Sequence, residues 1–290
     1  MYKKCLICGN DFESLVLRDL KMRKCKSCGL IWRESFDIPT DYYQKRTIES
    51  NQNKIRTKIL DSKDKINTFK KYADLNNLCD VGCGEGIFLK TLKQEGYKNV
   101  IGIEPRPQLL DGVLEGEIDD FPKIAKNIHT VTMFQVIEHL ENPKESLKLI
   151  YNNIKDGDKL IIETPNIDAY SLKKADYKHL TFIHFEHLFY FKLENISELL
   201  RMVGFKIIAH GKRDFDQRNL SIKQSLFRLG FLSYKYNREN KETENLGFKK
   251  TKSHFIKLFV KNIIRKILSK IVILLGRQDL IWIVAVKKDD

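Results

Sequence analysis

Residues 78–105 read "LCDVGCGEGIFLKTLKQEGYKNVIGIEP", and the hydrophobic period changes twice within this stretch. "LCDV" has the composition of a short buried strand, and "GCGEG" is a glycine-rich turn. "IFLKTLKQEG" is an amphipathic helix closed by Gly96, and "VIGIEP" is a second strand ending in an acid. Strand, turn, helix and strand in this order make one unit of a doubly wound α/β sheet.

Each polar or small residue of the unit has a physical task. Gly82, Gly84 and Gly86 remove side chains where a ligand must approach the backbone at a helix N-terminus. Glu104, at the carboxyl end of the second strand, is placed to accept both hydroxyls of a ribose. Asp80, just before the glycines, would repel a pyrophosphate but attracts an ammonium group. An amino-acid-bearing nucleoside fits this set better than a dinucleotide.

These residues carry a resemblance. "DVGCGEG" followed by "GIEP" resembles motifs I and II of class I S-adenosylmethionine-dependent methyltransferases. "MFQVIEHLENP" (133–143) and "LIIETPN" (160–166) are similar to that superfamily's fourth- and fifth-strand motifs. "GFKIIAHGKRD" reads as the sixth strand, and "LLGRQDLIWIVAVKK" resembles the stretch that ends in the last. The resemblance implies a Rossmann-like seven-stranded sheet with an antiparallel last strand. It also implies that Asp80, Gly82, Gly84 and Gly86 form the methionine and backbone side of the cofactor site, and that Glu104 holds the ribose. Asp119 in "GEIDDFP" would contact the adenine, with Asp120 as an equal neighbour, and Gln135 would lie under the methionine moiety.

Upstream, Cys5 and Cys8 form "CLIC", and Cys25 and Cys28 form "CKSC". Two C-x-x-C knuckles at this separation supply four thiolates to one tetrahedral zinc, and Gly9 and Gly29 suit the tight turn after each. "FESLVLRDLKMRK" between them supplies short strands. Cys79 and Cys83 read as small apolar residues. The expected organisation is a zinc ribbon over 1–45 and a methyltransferase domain over 46–290, with a helical insertion at about 216–276. With "DYYQKR" following the knuckles, the chain is similar to bacterial zinc-ribbon methyltransferases that act on sugars and secondary metabolites.

"HFEHLFYF" (184–191) puts His184, Glu186 and His187 among aromatics. Three roles compete: general base, satisfied structural histidine, or metal ligand together with Glu138 and His139. Sugar C-methyltransferases with a similar ribbon use a Glu-His pair in base chemistry, and Glu186–His187 match it by position. Those relatives have a Tyr where this chain has His184. The reading adopted is His187 as general base with Glu186 orienting it, and His139 as structural.

Charge is unevenly spread over the 290 residues. Residues 1–46 carry 10 Lys/Arg against 6 Asp/Glu, 47–211 carry 23 against 24, and 212–290 carry 19 against 8. The basic end points to anionic lipid, nucleic acid or a phosphorylated acceptor, or to a lysine-rich composition alone. "HFIKLFVKNIIRKILSKIVILLG" (254–276) repeats apolar residues at helical spacing with lysines interleaved, as in a helix lying on a membrane surface or one packing on its own domain. The opening "MYKKCLICGN" lacks an apolar leader core, and no apolar run approaches the ~20 residues of a bilayer span, so a cytoplasmic location is expected. The function expected is methyl transfer from S-adenosylmethionine to a small acceptor, a sugar or phosphorylated sugar. The alternatives are a zinc-ribbon RNA methyltransferase and a non-catalytic scaffold. "ETPN" lacks the aromatic of the N/D-P-P-Y/F motif, which weighs against nucleic acid.

Overall fold

The computed structural model describes residues 2–17, 20–36, 52–106, 111–169, 186–214, 225–226, 263–264, 266–276 and 278–288. His184 lies outside them, as does the expected domain boundary at 45–46. Of the expected insertion, 225–226, 263–264 and 266–274 are helical.

The knuckle region forms an antiparallel hairpin, β1 (Phe12–Leu17) and β2 (Leu20–Cys25), followed by β3 (Ile31–Arg33). Helix α1 (Gln52–Phe69) comes next, as the spacing of Ile55, Ile59, Ile66 and Phe69 predicts. The decisive unit follows: β4 (Leu78–Val81), buried at all four residues, α2 (Ile87–Gln94), and β5 (Val100–Glu104). Gly96 takes φ +92° beyond the end of α2, and the adjacent Tyr97 N–H closes back on the Leu92 carbonyl. The chain continues through β6 (Val113–Glu115), β7 (Thr130–Phe134), α3 (Pro143–Asn153), β8 (Lys159–Pro165), β9 (Phe189–Tyr190), α4 (Leu193–Val203), β10 (Phe205–Arg213) and β11 (Leu280–Lys287).

Seven strands make one mixed sheet in the order β6-β5-β4-β7-β8-β11-β10. The first five are mutually parallel, and β11 is antiparallel to both of its neighbours. The expected Rossmann-like sheet with an antiparallel last strand is therefore the observed one.

Helices cover both faces. On one, Ile66 and Phe69 of α1 and Phe88, Leu89 and Leu92 of α2 bury Leu78, Val100, Ile161 and Val284. On the other, Leu147 and Ile150 of α3 and Ile196, Leu199 and Leu200 of α4 close over Cys79, Val81, Val131 and Met133. Each fully buried aliphatic side chain contributes about 1.5–3 kcal/mol. Gly204 ends α4 at φ +112°, where a Cβ would approach the Tyr151 ring to 2.9 Å.

The small cysteine-bearing sheet gains a strand from far along the chain. β9, the second half of "HFEHLFYF", pairs antiparallel with β3, with Ile31 opposite Tyr190 and Trp32 opposite Phe189. The Arg33 N–H donates to the Leu188 carbonyl at 2.8 Å, and Asn195 Nδ2 donates to the Cys28 carbonyl at 3.1 Å. Cys5, Cys25, Leu30 and Trp32 share a continuous core with α3 and α4. The small sheet is thus fastened to the segment that follows β8.

A second feature went unread in the sequence. Arg213 holds both Glu163 oxygens, at 2.5 and 2.8 Å, and Asp61 at 2.6 Å. Lys65 reaches Asp61 at 3.1 Å and Glu163 at 3.5 Å, and lies 4.2 Å from the centroid of the Phe134 ring. All four charged residues are buried, so two cations and two anions join α1 to β8 and β10. The carboxylates hold the Arg213 guanidinium charged against its burial.

Candidate active site

The strand order reverses at β4, which lies between β5 and β7. In open α/β sheets the crevice beyond the carboxyl ends of strands at such a point receives the ligand. A cleft of about 1100 Å³ opens there. Gly82, Glu104, Asp119, Gln135, His139 and Glu186 are on its walls.

The glycine turn explains one end of the cleft. Gly82 and Cys83 donate their N–H groups to the Ile103 carbonyl at 2.7 and 3.2 Å, tying the turn to β5. Gly82 has φ +69°, and a Cβ there would meet Val136 at 2.6 Å, so no larger residue fits. Gly84 has φ +55° with nothing within 4 Å of a Cβ position, which leaves its backbone open to a ligand. Gly86 begins α2 from a left-handed conformation, with no side-chain cap on the helix's first N–H groups. Glu104 Oε2 accepts from the Gly84 N–H at 2.9 Å and Oε1 from the Arg106 N–H at 3.4 Å, which holds the carboxylate at the mouth of the turn.

Asp80 sits beneath the turn, away from the cleft walls. It is buried and accepts from Thr132 Oγ1 at 2.6 Å. Burial raises its pKa to about 7, with Glu104 adding to the effect while the Thr132 hydrogen bond and Lys65 oppose it. Its carboxyl group does not line the cleft. The two acids of "DDF" separate. Asp119 lines the cleft, whereas Asp120 accepts from the Glu117 N–H at 3.0 Å and pairs with Lys123.

Gln135 supplies the clearest sign of a missing partner. It sits just beyond β7 at φ +60°, a strained conformation for a residue with a side chain. Its buried Nε2 has no hydrogen-bond partner among the described residues. Gln135 lines the cleft, and a buried amide donor there fits an acceptor atom of a ligand. The open Gly84 backbone, the Glu104 carboxylate and this donor together fit the hydroxyls and polar chain of an amino-acid-bearing nucleoside.

At the other end, His139 lies on the wall with its Nδ1 2.9 Å from the Glu186 carbonyl oxygen. A carbonyl only accepts, so Nδ1 carries the proton and Nε2 is the acceptor of the neutral ring. His187 is 6% exposed and packs edge-on against His139, ring centroids 4.8 Å apart, behind the cleft wall. The sequence reading has His187 as general base and His139 as structural; in the structure His139 borders the cleft and His187 is buried behind it. Glu138, next to them, is fully buried. Oε2 accepts from Thr164 Oγ1 at 2.8 Å, and Oε1 has no partner among the described residues. Burial, with Glu163 and Glu186 nearby, raises the Glu138 pKa to about 8, so it is protonated at neutral pH. Glu138, His139 and His187 also hold their donor atoms within 4.8 Å of one another, and Glu186 is not part of that group.

The described cleft walls are acidic, with Glu104, Glu117, Asp119, Glu141, Glu145 and Glu186 against Arg106. Phe36, just beyond β3, also reaches the cleft and stacks edge-on with Phe189 at 5.6 Å. Tyr2 packs on both rings and donates its hydroxyl to the Glu141 carbonyl at 3.2 Å. The small sheet thereby borders the histidine end. Nothing in local sequence pattern marks Phe36 for this part.

The four N-terminal cysteines converge, with their sulfurs all within 4.8 Å of one another. Cys5 Sγ is 3.5 Å from Cys28 Sγ, and Cys8 Sγ is 3.3 Å from Cys25 Sγ. The Ser27 and Cys28 N–H groups point at Cys25 Sγ, both at 3.4 Å, and Gly9 and Gly29 turn the knuckles at φ +70° and +73°. Burial raises the Cys5 thiol to about 11 and pushes Cys28 higher still. Burial also opposes the Cys8 thiolate, but hydrogen bonds from Asn10, Cys25 and Cys5 outweigh it and lower its pKa to about 6. Four sulfurs crowded in this way match the donor set of a tetrahedral divalent ion.

Comparison with known proteins gives a family. The model described as "Methyltransferase domain" matches residues 46–210. The tRNA U34 carboxymethyltransferase of Aeromonas hydrophila is 31% identical over 105 residues, 31% of this chain and 32% of that protein. The mitochondrial ubiquinone biosynthesis O-methyltransferase of Dictyostelium discoideum is 26% identical over 134 residues, 38% of this chain and 42% of its own length. The chain thus spans less than half the length of either curated relative. The Haloferax volcanii complex containing the Trm112 methyltransferase activator superposes with a TM-score of 0.50 at 12% identity, over 83% of this chain and 95% of that one. That likeness bears on the fold alone.

Proposed function

The chain belongs to the methyltransferase-domain family, and from that premise we propose that it transfers the methyl group of S-adenosylmethionine to a hydroxyl of a small, uncharged acceptor, with sugars as the expected class. When bound, S-adenosylmethionine supplies an electrophilic methyl on a sulfonium. Glu104 would accept from the ribose hydroxyls, the Gln135 amide would donate to the methionine portion, and the Gly84 backbone would leave room for the nucleoside. The observation that carries the acceptor reading is the acidic cleft that ends on His139. Carboxylates attract a cationic cofactor and repel a phosphorylated acceptor. This narrows the sequence expectation, which included phosphorylated sugars.

His139 is the proposed general base. Its Nδ1–H is held by the Glu186 carbonyl, so Nε2 would take the hydroxyl proton as the acceptor oxygen bonds the methyl and the methyl–sulfur bond breaks, leaving the neutral thioether S-adenosylhomocysteine. His187 is a positioning residue that fixes the ring of His139. The four cysteines are proposed to hold a structural zinc that braces the sheet bordering the acceptor.

A second reading, tRNA modification, is supported by the names of relatives such as the Aeromonas hydrophila enzyme, although the match covers 32% of it. Both readings meet one assay. Full-length protein is incubated with methyl-labelled S-adenosylmethionine and, separately, neutral glycosides, the corresponding sugar phosphates, and total tRNA. Labelling of a neutral hydroxyl compound is the expected result. Labelling of tRNA or of sugar phosphates alone overturns the acceptor reading.

A further inference from the structure

Residues 266–274 are helical, as are 263–264. The stretch has Val272 fully buried within it. Its C-terminal end is fastened to β10, where Lys212 Nζ donates to the Gly276 carbonyl at 3.0 Å. A helix that packs on its own domain turns its apolar stripe inward. Here the larger stripe turns outward. Ile263, Ile267, Ile271 and Leu274 recur at intervals of four and three, with Ile264 and Leu275 beside them, and all are exposed, Leu274 at 83%. Lys266 and Lys270 are exposed along one edge of the stripe.

We infer that this helix docks on an anionic lipid surface, lying in the headgroup region with its isoleucine and leucine stripe turned into the acyl boundary. Three observations select that occupant. The apolar stripe is contiguous and outward-facing, which is costly against water. Lysines edge it, within a region carrying 19 Lys/Arg against 8 Asp/Glu, so negative headgroups complement it while a second positively charged copy is repelled. Finally, among the described residues no helix is long and apolar enough to cross a membrane, so contact is from one side. The inference does not depend on the acceptor reading.

The test is flotation of the full chain with vesicles of phosphatidylcholine containing phosphatidylglycerol, beside vesicles of phosphatidylcholine alone, at low and high salt. Wild-type protein is expected to float with the anionic vesicles and to be released by salt. Ile267→Glu with Leu274→Glu, and separately Lys266→Glu with Lys270→Glu, are expected to weaken partition about tenfold or more. Each variant is first shown to keep the wild-type urea unfolding midpoint. Three results overturn the inference: no flotation of the wild type, equal flotation of the Ile267/Leu274 variant, or a wild-type dimer in sedimentation velocity that the same variant dissociates without any lipid binding.

Discussion

Trp32 and Phe189 face each other across the antiparallel ladder of β3 and β9, one from the cysteine-bearing sheet and the other from the segment after β8. Phe189 also stacks on Phe36 at the cleft. What holds the cysteines therefore holds one wall of the histidine end of the cleft.

Removing the proposed zinc should act at that end. Wild-type protein is expected to contain one equivalent of zinc by elemental analysis, and Cys5→Ser with Cys25→Ser none. The variant should melt about 5–10 °C lower, as loss of a few kcal/mol implies for a domain of this size. Cofactor affinity should change less than acceptor KM, because the glycine turn and Glu104 lie on the other side of the cleft.

Glu104→Ala removes the carboxylate that meets the Gly84 and Arg106 N–H groups at the turn. A charged hydrogen-bonding group of this kind contributes about 1.5–3 kcal/mol, so S-adenosylmethionine should bind roughly 10- to 100-fold more weakly by calorimetry. Unchanged affinity would remove Glu104 from the cofactor site.

The two histidines should separate kinetically. His139→Gln is expected to lower kcat about 10²- to 10⁴-fold, with cofactor affinity kept, and to flatten the acidic limb of the pH–rate profile. His187→Gln should lower kcat far less and leave that limb in place. The reverse pattern would return the base role to His187, as the sequence alone has it.

Glu138 should leave a mark on stability against pH. Its folded pKa is raised to about 8, above the ordinary carboxylate value, so the folded state binds the extra proton. Its contribution is fully present below the unfolded pKa and is lost as pH rises to about 8. Urea unfolding at pH 5, 7 and 9 should therefore show a stability fall of up to a few kcal/mol that Glu138→Gln reduces.

Arg213→Met leaves Glu163 and Asp61 with Lys65 as their remaining cation in the buried cluster. Breaking such a buried arrangement costs about 3–5 kcal/mol, read as a lower urea midpoint. A neutral effect would mean that water reaches the carboxylates.

The sequence made the β4–turn–α2–β5 unit legible because every element there is local: a buried tetrapeptide, glycines at left-handed positions, an amphipathic helix and a strand-end acid. The cysteine knuckles were legible for the same reason. The capture of Phe189 and Tyr190 by β3 was not, since strand pairing across such a separation leaves no local period. Nor was the cluster of Asp61, Lys65, Glu163 and Arg213. Charged residues in a sequence read as surface, and only mutual pairing makes them interior. Which of His139 and His187 faces the cleft depends on the turn at Ile137–His139, and spacing alone carries no signal for it.

The place of β11 has a consequence for biosynthesis. β8 and β10 form no ladder with each other, because Leu280–Lys287 lies between them. A nascent chain that has emerged only as far as β10 already holds the glycine turn and the cysteine knuckles, yet carries two bare strand edges rich in isoleucine. Bare edges of this kind invite pairing with other chains. A premature stop a few codons before Leu280 would therefore spare the glycine turn and the cysteine knuckles and still yield a product prone to aggregate, and the ribosome must finish an interior strand of this sheet after both of its neighbours.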